Sequence, residues 1–385
     1  MNSKTADVII IGGGVIGGSI AYSLASKGVK RVILIEKESA LGLGSTSKAA
    51  GGVRMQFSTE INILLSMESI KKYETFAKDM DYETTFFQNG YLFLLKETSD
   101  VEHFKENFAL QKRLGAPVEW LTPQQAQDHL PQLYIDDLQA ATFCAKDGFI
   151  STGDIMAGYE RQARRLGVEI LTSSPVTEIT MDHGKVTGVK TAQDHIAAPV
   201  VVNATGAWAK LIGQMVGLNI PIEPVKRQAF VTEPFTKIKD PFPLTVDFST
   251  RLYFHRESGG ILLGRSKLDE KPGFDTTVDP IFLGEVIEAA LHRVPCLAEA
   301  DINIAKGWAG LYEMTPDAHP IVGPTPGLEG LFHAAGFSGH GFMHAPAIGE
   351  LMAELILTGK THLDLSHLAF DRFKTGHPTE EYAVI

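Results

Sequence analysis

Gly12, Gly14 and Gly17 stand in the spacing G-x-G-x-x-G between an apolar run that ends at Ile11 and another that opens at Val15. An acidic residue, Glu36, closes the next apolar run 19 residues after the last glycine. Gly12 permits a tight turn, Gly14 lets the backbone approach a pyrophosphate, and Gly17 lets helix and strand pack closely. The helix N-terminus then turns its N–H groups and the positive end of its dipole toward phosphate, and the Glu36 carboxylate accepts hydrogen bonds from a ribose diol. The chemistry is that of dinucleotide binding, through Gly12, Gly14, Val15, Ile16, Gly17, Glu36 and the adjacent Lys37. The fingerprint alone does not choose between NAD and FAD.

The next stretch, Leu41-Gly-Leu-Gly44-Ser-Thr-Ser-Lys-Ala-Ala-Gly-Gly-Val-Arg54, is rich in small residues and hydroxyls, and a flat aromatic ring system can lie against such a backbone. Two serine-nucleophile readings fail. Gly-Phe-Ser338-Gly-His is not the Gly-x-Ser-x-Gly elbow, and Ser45-Thr-Ser-Lys48 matches Ser-x-x-Lys without its companion motifs.

The elements around these residues read as mixed α/β. Short β-branched runs bounded by glycine, Asp7 to Ile11 and Arg31 to Glu36, fit strands of a covered parallel sheet, with a helix from about Val15 to Lys27 between them. Helical spacing of Ile61, Leu64, Leu65, Ile70, Tyr73 and Phe76 predicts a long amphipathic helix over 59–80. An alternating strand (Tyr91 to Leu95), a helix near Val101 to Leu114 and a turn at Leu121-Thr-Pro123 follow. Alternating strands return between Ile222 and Ile304, and a strand (Leu331 to Ala335) and helix (Ala347 to Leu357) lie near the end.

Composition excludes several classes. With 35 Lys+Arg against 46 Asp+Glu, a net charge of −11 offers no footprint for nucleic acid. The glycines at 12–14 interrupt the apolar stretch Val8 to Ala25, which would otherwise pass for a membrane span or signal peptide, so no transmembrane segment is expected. Only 2 cysteines, Cys144 and Cys296, are present, neither in metal-ligand spacing, which fits a reducing, cytoplasmic compartment and no metal site.

The chain resembles the flavin amine oxidoreductases of the D-amino acid oxidase family, in particular the branch of glycine oxidase, monomeric sarcosine oxidase and the β subunits of sarcosine oxidase and L-proline dehydrogenase. The resemblance is carried by the N-terminal fingerprint, Gly44-Ser-Thr, Gly51-Gly-Val-Arg-Met-Gln-Phe57, Gly90-Tyr-Leu-Phe93, Val202-Asn-Ala-Thr-Gly-Ala-Trp208, Trp308 to Asp317 and Gly336-Phe-Ser-Gly-His-Gly-Phe342. It implies an α/β fold of the glutathione-reductase-2 type: a Rossmann-like FAD-binding domain (1–84, 145–220 and 325–385) with an inserted antiparallel-sheet α+β substrate domain (85–144 and 221–324). It adds Gly44, Ser45, Thr46, Ala50, Gly51, Gly52, Val176, Ala204, Gly206, Trp208, Gly310, Gly336, Ser338, Gly339, His340 and Gly341 as cofactor positions. Arg54 matches the arginine that holds a substrate carboxylate. Tyr253 and Tyr312 are expected to line the pocket, with His340 and His344 nearby.

Departures from the family pattern shape the expected activity. Glycine oxidase has an arginine at the Tyr312 position, which makes glycine and D-amino acids poorer candidates. Gly310 replaces the cysteine of the covalent flavin link, so FAD should be non-covalent. Met343 replaces a carboxylate-holding lysine, a role His344 would have to fill, and Leu262 replaces an oxygen-activating lysine. Gly153 replaces the histidine that carries FMN in one β subunit, while a loosely held FMN at a subunit interface stays open.

The implied reaction is FAD-dependent oxidation of the C–N bond of a secondary or N-methyl amino acid, proline- or sarcosine-like, to an imine. Hydride passes to flavin N5, and the enzyme acts as a dehydrogenase. The alternatives are a glycine/D-amino-acid-type oxidase using oxygen, a β-type electron-relay subunit working with partner subunits, and an NAD-dependent dehydrogenase. No second G-x-G-x-x-G appears, so electrons leave to an acceptor other than a resident NAD.

Overall fold

The computed structural model describes residues 2–267, 269–374 and 379–384. Its centre is a six-stranded sheet in the order Glu169–Leu171, Val32–Ile35, Val8–Ile11, Val201–Asn203, Leu331–Ala335, Ile321–Pro324. All pairs are parallel except the last. Strands Val8–Ile11 and Val32–Ile35 are buried throughout, because helices cover one face and a second layer the other. Ile321–Pro324, which the sequence grouped with residues 221–324, folds back on Leu331–Ala335 and so belongs to this sheet.

Helix Val15–Ser26 packs against Gly341–Thr358 closely enough that a Cβ at Gly349 would lie 2.1 Å from Ser19 Oγ. The second of these helices starts six residues before the expected Ala347 and contains Pro346. Proline cannot donate to the carbonyl four residues back. That carbonyl, Phe342 O, accepts instead from the Tyr73 hydroxyl at 2.5 Å, so the helix Glu60–Asp79 repairs the defect.

The second large sheet has eight strands in the order Trp308–Met314, Glu223–Val231, Gly260–Arg265, Leu252–Glu257, Leu244–Asp247, Tyr91–Leu95, Ala140–Cys144, Glu119–Leu121. Only the pairing of Leu244–Asp247 with Tyr91–Leu95 is parallel. Tyr91–Leu95, expected to alternate, is buried at every position. Its Tyr91, Phe93 and Leu95 enter one apolar cluster and its Leu92 and Leu94 another, because both faces of this sheet are covered.

The stretch Leu121-Thr-Pro123 is a helix start rather than a turn. Thr122 caps Pro123–His129 in a box with Gln125, and proline at the first helical position loses no hydrogen bond. A four-stranded sheet (Asn2–Thr5, Asp194–Ala197, Lys185–Thr191, Val176–Asp182) and a three-stranded one (Gly52–Val53, Gly148–Ile150, Phe86–Phe87) complete the fold. No helix among the described residues is long and apolar enough to cross a membrane.

Candidate dinucleotide and amine site

A cavity of about 360 Å³ runs from the fingerprint to the face of the eight-stranded sheet. At two positions of the first end the local backbone allows nothing larger than glycine. Gly12 has φ +107°, and a Cβ there would sit 2.3 Å from Ala204 O; one at Gly17 would sit 1.9 Å from Gly12 O. Helix Val15–Ser26 begins at Gly14 with no side-chain cap, so its N-terminus opens on the cavity. Thr46 Oγ1 accepts from Val15 N at 3.0 Å, which clamps the small-residue loop to the helix start. Glu36 accepts from Gly13 N at 2.7 Å and Glu38 N at 2.8 Å. Those bonds fix a carboxylate that has acceptor capacity left for a diol.

Of the expected cofactor positions, Gly12, Gly14, Val15, Ile16, Glu36, Lys37, Gly44, Ser45, Thr46, Ala50, Gly51, Gly52, Val176, Ala204, Gly206, Trp208, Gly310, Gly339, His340 and Gly341 all line this cavity. Ser45 Oγ donates to Leu311 O at 2.8 Å, so the loop is also tied to the second sheet. Lys37 Nζ lies 4.1 Å from the Trp208 ring centre.

Gly17, Gly336 and Ser338 stand behind the cavity wall. Gly17 acts through packing, as its spacing predicts. Gly336 N donates to Glu313 Oε2 at 2.7 Å, and Ser338 is buried, its hydroxyl facing Thr315 and the Glu313 carbonyl. The loop before the last helix therefore presents Gly339 to Gly341 to the cavity, while 336–338 support it from the rear.

At the other end, Arg54, Tyr253 and Tyr312 line the cavity as expected. Arg54 is 1% exposed. Its Nη1 donates to Gln56 O and its Nη2 to Ala383 O, while Nε has no partner among the described residues. Among the described residues no carboxylate lies within ion-pair distance of it, and burial lowers its pKa. The loop that carries Arg54 is fixed from below by Asp147, which accepts from Met55 N at 2.9 Å and Gln56 Nε2 at 3.2 Å. Burial pushes the Asp147 carboxyl up to about 7.

His340 lines the cavity with neither ring nitrogen partnered among the described residues, and its edge meets Phe57 at 4.8 Å. Burial pushes it well below 6.5, so it is a neutral imidazole at pH 7 and a weak base. His344 does not reach the cavity. One helical turn further on, it faces the helix Glu60–Asp79, with Nε2 3.0 Å from Ser66 Oγ, and burial lowers it to about 3. It cannot supply the second carboxylate anchor. His255 is likewise buried outside the lining, with Nδ1 2.8 Å from Arg256 O.

Sequence reasoning missed several cavity residues. Tyr91 and Lys48 line it, as does Arg227, whose Nε is unpartnered and whose guanidinium sits 5.1 Å from the Tyr312 ring. Arg227 and Gly310 face each other across paired strands, so the residue was legible only once the register was known. Glu313 also lines the cavity, and burial pushes it up to about 7. Leu262 is buried with Ala229 and Val231 against Ala50 and Tyr253. No lysine stands there, but Lys48 and Arg227 do bring cations to the cavity.

A glycine-turn site at the C-terminal edge of a mostly parallel sheet, continuous with an arginine-bearing pocket on a second sheet, is a dinucleotide site joined to a small-molecule pocket. Residues 7–355 match the FAD dependent oxidoreductase (DAO) family, and the chain belongs to it. It is 32% identical to mitochondrial dimethylglycine dehydrogenase of Rattus norvegicus, covering 96% of this chain but only 45% of that protein. It is 29% identical to sarcosine oxidase subunit beta of Arthrobacter sp, covering 98% of this chain and 94% of that one.

Among solved structures, L-proline dehydrogenase from P. horikoshii superposes with a TM-score of 0.91 at 35% identity, over 98% of this chain and 100% of the other. Glycine oxidase from Geobacillus kaustophilus gives 0.86 at 27% identity, over 96% and 99%. FAD is therefore the cofactor class, and the NAD-dependent alternative falls. These relatives bring no support for FMN at a subunit interface.

Proposed function

We propose that this chain oxidises the C–N bond of a secondary or N-methyl amino acid, proline- or sarcosine-like, to an imine, as a dehydrogenase with non-covalent FAD. The observation that carries this is Arg54, a cation 1% exposed, opening on the same cavity as the glycine turn with Nε unpartnered. A buried guanidinium without a counter-ion is costly, and a carboxylate meets it with two charge-assisted hydrogen bonds. Anchoring that carboxylate orients the adjacent Cα. The names of the relatives, which act on dimethylglycine, sarcosine and L-proline, point to the same substrate class.

Tyr253, Tyr312 and Tyr91 pack on the substrate's aliphatic part and exclude water; burial raises all three phenols, so they stay protonated. An amine bound neutral needs no general base, which suits a site whose histidine is a weak one. Bound FAD supplies the hydride acceptor. Gly310 has no side chain to link to it, and Cys144 and Cys296, both free thiols, lie outside the cavity lining. Free thiols also suit a cytoplasmic setting.

The test is turnover by the purified, FAD-loaded chain with an artificial acceptor on L-proline, sarcosine, N,N-dimethylglycine and glycine. Oxidation of a secondary or tertiary amino acid ahead of glycine is expected; no turnover of any amine contradicts the reading. Oxygen as sole acceptor should give slow reoxidation. Rapid oxygen consumption would show that Lys48 or Arg227 replaces the lysine absent at Leu262, and would favour the oxidase alternative. Turnover that requires an added partner chain would favour the electron-relay subunit.

A further inference from the structure

We propose that residues 379–384 form a strap that holds Arg54 in its anion-binding pose, with Glu381 as the positioning residue. The inference rests on the reading of Arg54 as carboxylate anchor.

Glu381 is 2% exposed and sits in a socket built for a carboxylate. Oε1 accepts from Ser58 N (2.8 Å), Ser58 Oγ (2.5 Å) and Ala383 N (3.0 Å). Oε2 accepts from Thr59 N (3.2 Å), Thr59 Oγ1 (2.7 Å) and Asn62 Nδ2 (2.9 Å). The socket lies at the start of helix Glu60–Asp79, whose cap residue Thr59 has no side-chain cap of its own, so the helix dipole also favours the charge. Such an arrangement holds the carboxylate immobile and gives one short segment a unique register on the protein.

The segment is tied again at Glu381 itself and at the residues that follow it. Glu381 N donates to Asp317 O at 3.1 Å and Tyr382 N to Ser58 Oγ at 2.8 Å. The Tyr382 hydroxyl donates to Asp100 at 2.7 Å, and Arg251 Nη1 donates to Val384 O at 3.1 Å. Between these ties, Ala383 O is delivered to Arg54 Nη2 at 2.5 Å. Gln56 O holds Nη1 from within the loop, so two carbonyls fix the guanidinium plane. Neutral carbonyls orient the fork without neutralising it. Among the described residues Nε is left without a partner, and the Tyr91 hydroxyl meets the same guanidinium from the cavity side.

Glu381 therefore spends its charge on the socket, not on an ion pair with Arg54. A direct pair would compete with the substrate; this arrangement positions the cation through a backbone carbonyl and leaves its charge available.

Glu381→Gln places an amide NH2 against a set of donors and should release the strap. In the FAD-loaded enzyme, KM for the amino-acid substrate is expected to rise about tenfold or more, with kcat within about threefold. The amine that lacks the carboxylate (pyrrolidine for proline, dimethylamine for sarcosine) should be oxidised as by the wild type. In an Arg54→Met background the same change should add nothing, because the two residues act in one chain of contacts. Ser58→Ala loosens the socket from the other side and is the second variant if Glu381→Gln does not fold.

Equal losses on both substrates, or additive losses with Arg54→Met, would overturn the proposal. Binding of pyrrole-2-carboxylate, read from the flavin absorbance, gives the same comparison without turnover. A wild type that binds this anion but oxidises no amine sinks the functional reading alone. The strap then stands or falls on whether Glu381→Gln weakens that binding.

Discussion

The two ends of the cavity are built by opposite means. At the nucleotide end, the close approach of the backbone depends on side chains that are absent, with the Glu36 carboxylate set beside it: a Cβ at Gly12 or Gly17 would overlap Ala204 O or Gly12 O. The helix start and the strand ends there present backbone. At the amine end, recognition comes from side chains whose positions are set by residues far away in sequence. Arg54 is oriented by the carbonyl of Ala383, and Glu381 reaches Ser58 across 323 positions. At Gly12 and Gly17 the first end tolerates no added atom. The second tolerates atoms but depends on long-range ties, so its substitutions should change specificity before they change folding.

The largest effect is expected from filling the space at the nucleotide end. Gly12→Val should give protein that purifies without FAD, because a Cβ there would sit 2.3 Å from Ala204 O at the neighbouring strand end; a flavin-to-protein ratio near that of the wild type would break the contrast. Next comes Arg54→Met, which should keep FAD bound while kcat/KM for the amino acid falls by about 10² or more. Loss of FAD in that variant would mean the two ends are not separable.

A third prediction concerns pH. Burial raises Asp147 from 3.8 and Glu313 from 4.5 to about 7. A carboxyl raised on folding contributes stability that is present at low pH and lost as pH rises through its folded value. Relative to Glu313→Gln, the wild-type apoprotein should lose about 1–3 kcal/mol between pH 4.5 and 8 in urea unfolding. Parallel stability curves for the two proteins would show that Glu313 is ionised at little cost. The smallest effect is expected at His344: His344→Asn removes a bond to Ser66 and should cost about 1 kcal/mol with activity within about twofold. A large loss of kcat would return His344 to the site.

The same contrast explains what could be read from the sequence. Gly12 to Glu36 is a local pattern in which each residue's role follows from its neighbours, and the strands and helix it implies are found within a residue or two. Arg54, Tyr253 and Tyr312 reached the cavity on family likeness, since one arginine in a loop carries no spacing signal. Arg227 needed the register with Gly310, and Glu381 needed a chain reversal that no periodicity reports. Tyr91–Leu95 was misread because alternation presupposes one wet face, and this strand has none. His344 was placed in the site to fill the carboxylate-anchor role left by Met343, yet it stands on the Ser66 side of the helix.

The central claim is that one cavity joins FAD to a carboxylate-anchored amine. Anaerobic mixing of the yellow holoprotein with L-proline, sarcosine and N,N-dimethylglycine, followed at the flavin absorbance, tests it most directly. Bleaching by at least one of these in the wild type, and its loss in Arg54→Met with FAD still bound, is the predicted result. A flavin that stays oxidised with all three, or that bleaches equally well without Arg54, would contradict the account.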